Sequence, residues 1–377
     1  MVYFKREIKR AIALMVVMII TIGAFSGCNK KSEAAEGESS EVSNVVDSHI
    51  DVLLVTDYGT INDGSYNQGA WEGLMQYAQE KGITAAYYEP ENADKESFLE
   101  EIKNGVKNGA TMVICPGYMF EETVFEAQNK YSNVDFVLLD GQPHNADYSE
   151  AYIANNTECI VFAEEQAGFL AGYSAVRDGY TNLGFMGGIP EDSVIRYGYG
   201  FVQGADYASI EMGIKVNIRY AYMNTFSDEP IVEATADAWY GDDTEVIFAC
   251  GGALGKSVMR SAANNDKKVI GVDIDQSSES ETVITSAMKS IKEAVYQSLM
   301  TDDANSFEGG IVRKYTASEN GVCLPMENSR FVKFSQEDYD SILARLIDGS
   351  ISPYDGTDIG TTQELTLINT SVNYIVL

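Results

Sequence analysis

The stretch VLLVTDYGTINDGSYNQ, residues 52–68, decides the fold of this chain. An apolar, partly β-branched run ends at Asp57, a polar loop follows, and Trp71 and Leu74 begin the apolar stripe of a helix. Open α/β sheets bind their ligands where the carboxyl end of a strand leads into such a loop and helix. The loop contains carboxylates, amides and aromatic rings, but no histidine, cysteine pair or phosphate-binding glycine run. The stretch therefore predicts a strand–loop–helix unit that binds a polar, partly flat ligand.

The alternation of strands and helices continues along most of the chain. The first predicted series consists of strands at residues 51–56, 83–88, 111–115, 134–140 and 152–154, and helices at 65–81, 94–108 and 120–130. The second consists of helices at 159–177, 194–212, 230–239 and 255–264, and strands at 183–186, 215–222, 245–249 and 269–273. Strands at 282–288 and 310–315 and helices at 290–299 and 336–347 complete the pattern. These repeats predict two doubly wound α/β lobes of similar size with a cleft between them.

Two details refine this prediction. Gly168 and Gly172 lie on the helix predicted at 159–177 and should let another element pack closely against it. Residues 350–377 are rich in Thr, Ser and Asn with alternating apolar positions, so they form either an edge strand or a loose tail.

The amino terminus has the features of a bacterial lipoprotein signal. Four basic side chains precede an uninterrupted apolar segment of fourteen residues, 11–24, which is short for a membrane span and typical of a signal peptide. Residues 24–28 (AFSGC) resemble a lipobox in which Phe25 replaces the usual leucine. We expect residues 1–27 to be removed and the thiol of Cys28 to carry a lipid, with an uncleaved signal anchor as the alternative. Residues 28–48 are rich in Ser and Glu and predict a flexible tether.

Composition excludes several classes of function. A net charge of −31 argues against a nucleic-acid-binding surface. The remaining cysteines are isolated, at positions 115, 159, 250 and 323, with no CxxC pair, so we expect no metal site and leave disulfide pairing open. Residues 251–257 (GGALGKS) resemble a phosphate-binding loop, but Cys250 stands where that motif requires its first glycine.

Catalytic motifs are equally scarce. The two histidines, His49 and His144, are far apart in the sequence, and no nucleophile elbow or zinc-protease motif is present. A carboxylate-dependent hydrolase, using aspartates with calcium, is the enzymatic alternative to a binding protein. Six strand ends carry Asp, Gly or Tyr and should face one crevice: Asp57, 116–118, 140–141, 187–188, 250–252 and Asp273.

With these residues in view, the chain resembles the basic membrane protein family of substrate-binding lipoproteins, the purine nucleoside receptors of ABC transporters. The resemblance extends over residues 50–351 and rests on 61–68 (INDGSYNQ), 70–73 (AWEG), 165–172 (EQAGFLAG), 184–188 (GFMGG), 200–204 (GFVQG), 225–228 (TFSD), 271–276 (GVDIDQ) and 284–289 (ITSAMK). It implies a type I periplasmic-binding-protein fold, two Rossmann-like lobes that close on a nucleoside. It also implies no cofactor, no enzymatic activity, ABC permease subunits as partners, and a monomer anchored on the extracytoplasmic face of the cell membrane.

The resemblance also implies roles for particular residues. Asp63 and Asn67 are expected to hydrogen-bond the base, and Phe226 is expected to stack on it. The ribose side is expected to be lined by Asp140, Gly252, Asp273 and Lys289, of which Asp273 and Lys289 bind its hydroxyls. Ile61 stands where many members carry an aromatic residue, and Tyr58 or Tyr118 is expected to replace that ring. The loop at 276–284 looks shorter and more acidic than usual, so base preference can differ from that of purine nucleoside receptors.

This interpretation assigns residues 49–154 plus 275–308 to an N-terminal lobe, 155–274 plus 309–350 to a C-terminal lobe, and 351–377 to a tail. The leading hypothesis is a receptor that delivers a nucleoside to a permease by lobe closure. The alternative is a ligand sensor that acts on a signalling partner. A carboxylate-dependent nucleoside hydrolase is the third.

Overall fold

Two largely parallel sheets are built from the part of the chain that the computed structural model describes, residues 49–303, 307–356 and 362–377. The first series of elements is β1 (Val52–Val55), α1 (Tyr66–Lys81), β2 (Ala85–Tyr88), α2 (Lys95–Lys107), β3 (Met112–Pro116), α3 (Glu121–Lys130), β4 (Asp135–Leu139) and β5 (Thr157–Phe162). The predicted signal peptide, Cys28 and the predicted tether lie outside the described residues.

The second series supplies the other sheet and adds one strand, β11, to the first. Its elements are α4 (Glu164–Asp178), β6 (Asn182–Gly187), α5 (Asp192–Met212), β7 (Val216–Tyr222), α6 (Pro230–Gly241), β8 (Val246–Cys250), α7 (Leu254–Asn265), β9 (Lys268–Asp273), β10 (Val283–Lys289), α8 (Ile291–Asp303), β11 (Ile311–Tyr315), β12 (Val322–Cys323), α9 (Gln336–Ile347) and β13 (Thr370–Tyr374). The predicted α/β class with doubly wound sheets is confirmed.

The order and direction of the strands in the two sheets determine where a cleft can form. The first sheet runs β11-β5-β4-β3-β1-β2 and the second runs β12-β10-β9-β8-β6-β7-β13. All pairings are parallel except that of β12 with β10. Every residue of β1, β3 and β8 is buried, as expected for parallel strands covered by helices on both faces. Because parallel strands share a direction, their carboxyl ends meet at one edge of each sheet.

Glycines allow α4 and α5 to pack closely, as the sequence predicted. A Cβ atom at Gly168 would lie 2.1 Å from the carbonyl oxygen of Tyr197, and one at Gly172 would lie 2.0 Å from that of Phe201. Both distances are far below a van der Waals contact, so any larger residue would separate the two helices.

Two local predictions around β5 are wrong. Residues 152–154 are not a strand, and the helix predicted at 159–177 begins only at Glu164, because Thr157–Phe162 forms β5. The spacing of Phe162 and Phe169, seven residues apart, fits one face of a helix and so favoured a helix that includes residues of β5. The polar Glu158 also hides the strand pattern, yet its buried carboxylate accepts hydrogen bonds from Arg313 Nε at 2.7 Å and Ser298 Oγ at 2.6 Å.

The predicted crossing points between the lobes also need correction. Residues 275–308 were assigned to the N-terminal lobe, but β10 within them pairs with β9 in the second sheet. Residues 309–350 were assigned to the C-terminal lobe, but β11 within them pairs with β5 in the first. Sheet membership depends on which edge strand is free to accept a neighbour, and the local sequence does not encode this.

The carboxy-terminal segment forms an edge strand, which resolves the alternative left open above. β13 pairs in parallel with β7, and the buried side chain of Asp206 secures its start. Asp206 Oδ1 accepts hydrogen bonds from the backbone N–H groups of Ile368, Asn369 and Thr370 at 3.2, 2.8 and 2.9 Å.

Candidate functional site

A cavity of about 310 Å³ lies where the carboxyl ends of the two sheets face each other. Its lining includes all eight residues that the sequence singled out: Asp63, Asn67, Tyr118, Asp140, Phe226, Gly252, Asp273 and Lys289. Five of the six predicted strand ends contribute to it, and the sixth, Gly187-Gly188, backs the wall behind Phe226. The structure thus brings the predicted residues together, and their contact with a ligand stays a prediction.

One end of the cavity is organised around a buried ammonium group. Lys289 Nζ forms an ion pair with Asp140 Oδ2 and lies 3.2 Å from Glu164 Oε1 and 3.8 Å from Asp273 Oδ1. Burial alone would lower the pKa of Lys289, but the three carboxylates raise it above its usual value. The ammonium therefore stays charged and holds the carboxyl groups of both lobes together.

The pKa values of two carboxyl groups at this charged end are shifted in opposite directions, up for Asp140 and down for Glu164. Burial raises the pKa of Asp140, and Lys289 opposes that shift. Burial would also raise the pKa of Glu164, but Arg196, whose Nε lies 2.7 Å from Glu164 Oε2, and Lys289 hold it below the usual value. Glu164 is therefore the firmly ionised member, while Asp140 has one oxygen, Oδ1, that is buried without a hydrogen-bond partner.

Asp273 connects this charged end to the opposite lobe. Its Oδ2 accepts a hydrogen bond from Ser65 Oγ at 2.6 Å, and its Oδ1 lies 3.5 Å from the hydroxyl of Tyr197. Asp140 and Asp273 both have positive φ angles, 56° and 68°, which non-glycine residues rarely adopt. Backbone strain of this kind is concentrated at functional sites.

The loop before α1 is built on Asp63. Its Oδ1 accepts hydrogen bonds from the backbone N–H of Ser65 and Gln68 at 2.8 and 3.2 Å. Its Oδ2 accepts from the backbone N–H and the side-chain amide of Asn67, both at 3.0 Å. The carboxylate thus caps the first turn of α1, where backbone donors have no helical partner.

Aromatic side chains occupy the other end of the cavity. The rings of Tyr58 and Phe226 lie 6.3 Å apart at 53°, and Tyr118 lines the same region. A Cβ atom at Gly188 would lie 2.3 Å from the Phe226 ring, so a glycine there lets the ring lie against the backbone. Tyr58 and Phe226 are therefore neighbouring, tilted rings in the lining of the cavity, and the replacement of the aromatic missing at Ile61 by Tyr58 or Tyr118 stays a prediction.

Several lining residues were missed as site residues. Among them are Tyr66, Glu191, Tyr197 and Lys256, whereas Asp57 was expected at the crevice as a strand end. Tyr66 belongs to the stretch 61–68 that carries the family resemblance. It is the first residue of α1, which places it at the edge of the sheet. Lys256, within the rejected phosphate-loop resemblance, extends across the cavity mouth to the carbonyl oxygen of Asn62 at 3.4 Å.

Of the four cysteines in the described residues, Cys250 lines the cavity. Cys115, Cys159, Cys250 and Cys323 are free thiols. Within residues 49–303, 307–356 and 362–377, no group of three or more His, Cys, Asp or Glu side chains could hold one metal ion. In the same residues, no helix is long and apolar enough to cross a membrane.

The family model described as ABC transporter substrate-binding protein PnrA-like, Bmp, matches residues 50–352. The chain belongs to the Bmp family. It is 28% identical over 344 residues to the ABC transporter nucleoside-binding protein BmpA of Lactococcus lactis subsp. cremoris, covering 85% of this chain and 92% of that protein. It is 30% identical over 312 residues to basic membrane protein A of Borreliella afzelii, covering 80% and 91%.

Solved structures support the fold of this Bmp-family protein. A solute-binding protein of an ABC transporter system from Aeropyrum pernix K1 matches with a TM-score of 0.70 and 19% identity, covering 82% of this chain and 94% of that one. A similar protein from Conexibacter woesei matches with a TM-score of 0.63 and 18% identity, covering 81% and 99%. The predicted type I periplasmic-binding-protein fold is therefore confirmed, and this Bmp-family protein is an extracytoplasmic ABC substrate-binding protein.

Proposed function

We propose that this Bmp-family protein binds a nucleoside between its lobes and delivers it to the permease of an ABC importer. The observation that carries the proposal is the division of the cavity into an aromatic end, with Tyr58 and Phe226, and a charged end, with Asp140, Asp273 and Lys289. A nucleoside has matching parts, since its base is flat and its ribose carries hydroxyls. The name of the Lactococcus lactis relative also describes a nucleoside-binding protein.

In this proposal Phe226 stacks on the base, a contact that contributes about 1–3 kcal/mol in other base-binding sites. Asp63, Asn67 and Tyr118 lie on the base side, and Asp140 and Gly252 lie on the ribose side. Asp273 and Lys289 bind the ribose hydroxyls, because a carboxylate accepts and an ammonium donates hydrogen bonds. The carboxylates and the ammonium group at this end would select a sugar over a bare base.

Calorimetric titration of the detergent-solubilised full chain tests the proposal. Inosine, guanosine and adenosine should bind, whereas ribose and the free bases should bind far more weakly, because each occupies only one end of the cavity. Absence of heat and of thermal stabilisation with every nucleoside would refute nucleoside binding.

A matched pair of variants tests the charged end. Asp273→Asn keeps the side-chain size and suits the positive φ, but it removes an ionised acceptor and should weaken nucleoside binding about tenfold or more. Asp275→Asn changes a neighbouring carboxylate that hydrogen-bonds Ser277 and Asn328 and does not line the cavity. Equal affinities in the two variants would contradict the assigned role of Asp273.

We also propose that Cys28 carries the lipid that anchors this monomeric receptor on the extracytoplasmic face of the membrane. The supporting observation is the signal-like sequence at 1–28. Intact-mass measurement of membrane-extracted protein should show a lipidated terminus at Cys28, and Cys28→Ser should retain residues 1–27 and no lipid. An unmodified Met1 terminus in the unaltered chain would rule the anchor out.

Absence of catalysis belongs to the same proposal. The purified chain, incubated with inosine and calcium, should return the nucleoside intact. Enzyme-dependent release of free base would instead establish the carboxylate-dependent hydrolase.

A further inference from the structure

The loop between β1 and α1 in the first lobe contacts the segment that follows β9 in the second lobe. Gln276 Nε2 donates a hydrogen bond to the carbonyl oxygen of Gly64 at 2.8 Å, and Ser65 Oγ donates to Asp273 Oδ2 at 2.6 Å. Both bonds join two groups of the protein that belong to different sheets. They are therefore made or broken by the movement of the lobes and need no ligand as a partner.

The second lobe fixes the orientation of the Gln276 side chain. Its Oε1 accepts a hydrogen bond from the backbone N–H of Val272 at 3.0 Å, and its backbone N–H donates to Ser286 Oγ at 3.0 Å. A Cβ atom at Gly271 would lie 2.5 Å from Oε1, so the glycine leaves room for the side chain to lie against β9. Because Oε1 faces a backbone donor, the amide nitrogen is the atom that faces Gly64.

The first lobe fixes the position of the Gly64 carbonyl. Gly64 has a φ of 74°, which residues with a side chain rarely adopt, and its N–H donates a hydrogen bond to Gln68 Oε1 at 3.1 Å. Lys256, on α7 of the second lobe, contacts the same loop through Nζ, which lies 3.4 Å from the carbonyl oxygen of Asn62. Donors of the second lobe thus meet backbone acceptors that the loop already holds in place.

Gln276 is separate from the ligand cavity. It is 3% exposed and does not line the cavity, in contrast to Asp273 three residues before it. An amide–carbonyl hydrogen bond favours the arrangement in which it is made, because it replaces bonds to water that both groups make when they are apart. The bond from Gln276 to Gly64 therefore favours the closed arrangement of the lobes whichever nucleoside lies between them.

We propose that the closure contact, the hydrogen bond from Gln276 Nε2 to the carbonyl oxygen of Gly64, stabilises the closed lobes and slows the release of a bound nucleoside. This inference rests on the proposed nucleoside-binding function. Gln276 is a positioning residue, since it acts on the ligand only through the lobes. Loss of the closure contact should therefore accelerate the dissociation of every nucleoside by the same factor and leave the association rate nearly unchanged.

Gln276→Glu removes the donor of the closure contact with the smallest change of shape. The variant keeps an acceptor for the N–H of Val272, but it sets a carboxylate oxygen against the carbonyl oxygen of Gly64. In stopped-flow displacement with the detergent-solubilised full chain, the dissociation rates of inosine, guanosine and adenosine should all rise about tenfold or more. Gln276→Met, which has a similar length and no charge, carries the test if the buried carboxyl group prevents folding.

The same substitutions at Gln128 are the matched controls, because Gln128 has the same bonding pattern within one lobe. Its side chain donates to the carbonyl oxygen of Tyr152 at 3.1 Å and accepts from the backbone N–H of Ala154 at 3.0 Å, and the residue is 2% exposed. Gln128→Glu should lower the melting temperature but leave the dissociation rates unchanged. Equal dissociation rates in the two variants, or a Gln276 effect that depends on the base, would overturn the inference.

Hydrogen–deuterium exchange of the chain without added nucleoside tests the closure contact independently of ligand binding. Residues 57–62 and 191–194 contribute to the cavity lining from the two lobes and lie outside the closure contact. Both segments should exchange faster in Gln276→Glu than in Gln128→Glu, because more of the chain is open. Unchanged exchange would overturn the inference even if nucleosides bind. Faster exchange in a chain that binds no nucleoside would support the closure contact and refute only the proposed function.

Discussion

Replacing Lys289 with methionine is the most informative perturbation of this molecule. The substitution keeps a long, unbranched side chain but removes the charge that Asp140, Asp273 and Glu164 share. Glu164 retains Arg196 at 2.7 Å, so two buried carboxyl groups lose their cation. Breaking a buried ion pair by removing one partner costs about 3–5 kcal/mol, and we expect a loss in this range near neutral pH.

The same variant has a predictable pH dependence. Burial already raises the pKa of Asp140 and Asp273, and the loss of Lys289 removes the charge that opposes this rise. The folded variant should therefore bind more protons than the unfolded chain between the usual carboxyl pKa and the raised one. Its deficit should be largest above the raised pKa values and should shrink as pH falls through them.

Urea denaturation at about pH 8 and about pH 5, followed by tryptophan fluorescence, measures both effects. Lys292→Met is the matched control, because Lys292 is an exposed lysine at the start of α8, and its free energy of unfolding should change by less than about 0.5 kcal/mol. A deficit below about 1 kcal/mol, or one that stays the same at both pH values, would refute the reasoning from buried charge.

Three further outcomes follow from the described contacts. Phe226→Ala should weaken nucleoside binding by about 1–3 kcal/mol in calorimetry, with little change in melting temperature. Gly168→Ala should destabilise the fold by about 1–3 kcal/mol, since its Cβ would lie 2.1 Å from the carbonyl oxygen of Tyr197, whereas Gly241→Ala, which has open space, should not. Asp206→Ala should release the start of β13, and limited proteolysis should then cut the carboxy-terminal segment faster than in the unaltered chain.

Local periodicity was sufficient for most elements, because their apolar residues repeat at the spacing of a strand or a helix over several turns. It failed at β5, where the apolar Phe162 fits a helical face as well as a strand. The difference depends on Arg313 and Ser298, far along the chain, which satisfy the carboxylate of Glu158 and make a buried polar strand position stable.

In the site, too, some features could be predicted from the sequence, whereas the hydrogen bonds of individual oxygen atoms could not. Positions at the carboxyl ends of strands could be assigned to one crevice from the sequence, and Asp140, Asp273, Lys289 and Phe226 all line the cavity. The sequence also pointed to Asp63, but it contains no information on how many hydrogen bonds that carboxylate already accepts. Only the folded loop shows that both oxygens of Asp63 already accept two hydrogen bonds each from Ser65, Asn67 and Gln68.

The sequence alone therefore determined the alternation of strands and helices, the residues at the strand ends and the family resemblance, since each depends on neighbours along the chain. The tertiary structure decided the sheets to which β10 and β11 belong and the pairing of Lys289 with carboxylates from both lobes. It also decided which hydrogen bonds the carboxylate of Asp63 accepts within the stretch 52–68. These properties depend on contacts between residues that are distant in sequence, and such contacts exist only once the chain has folded.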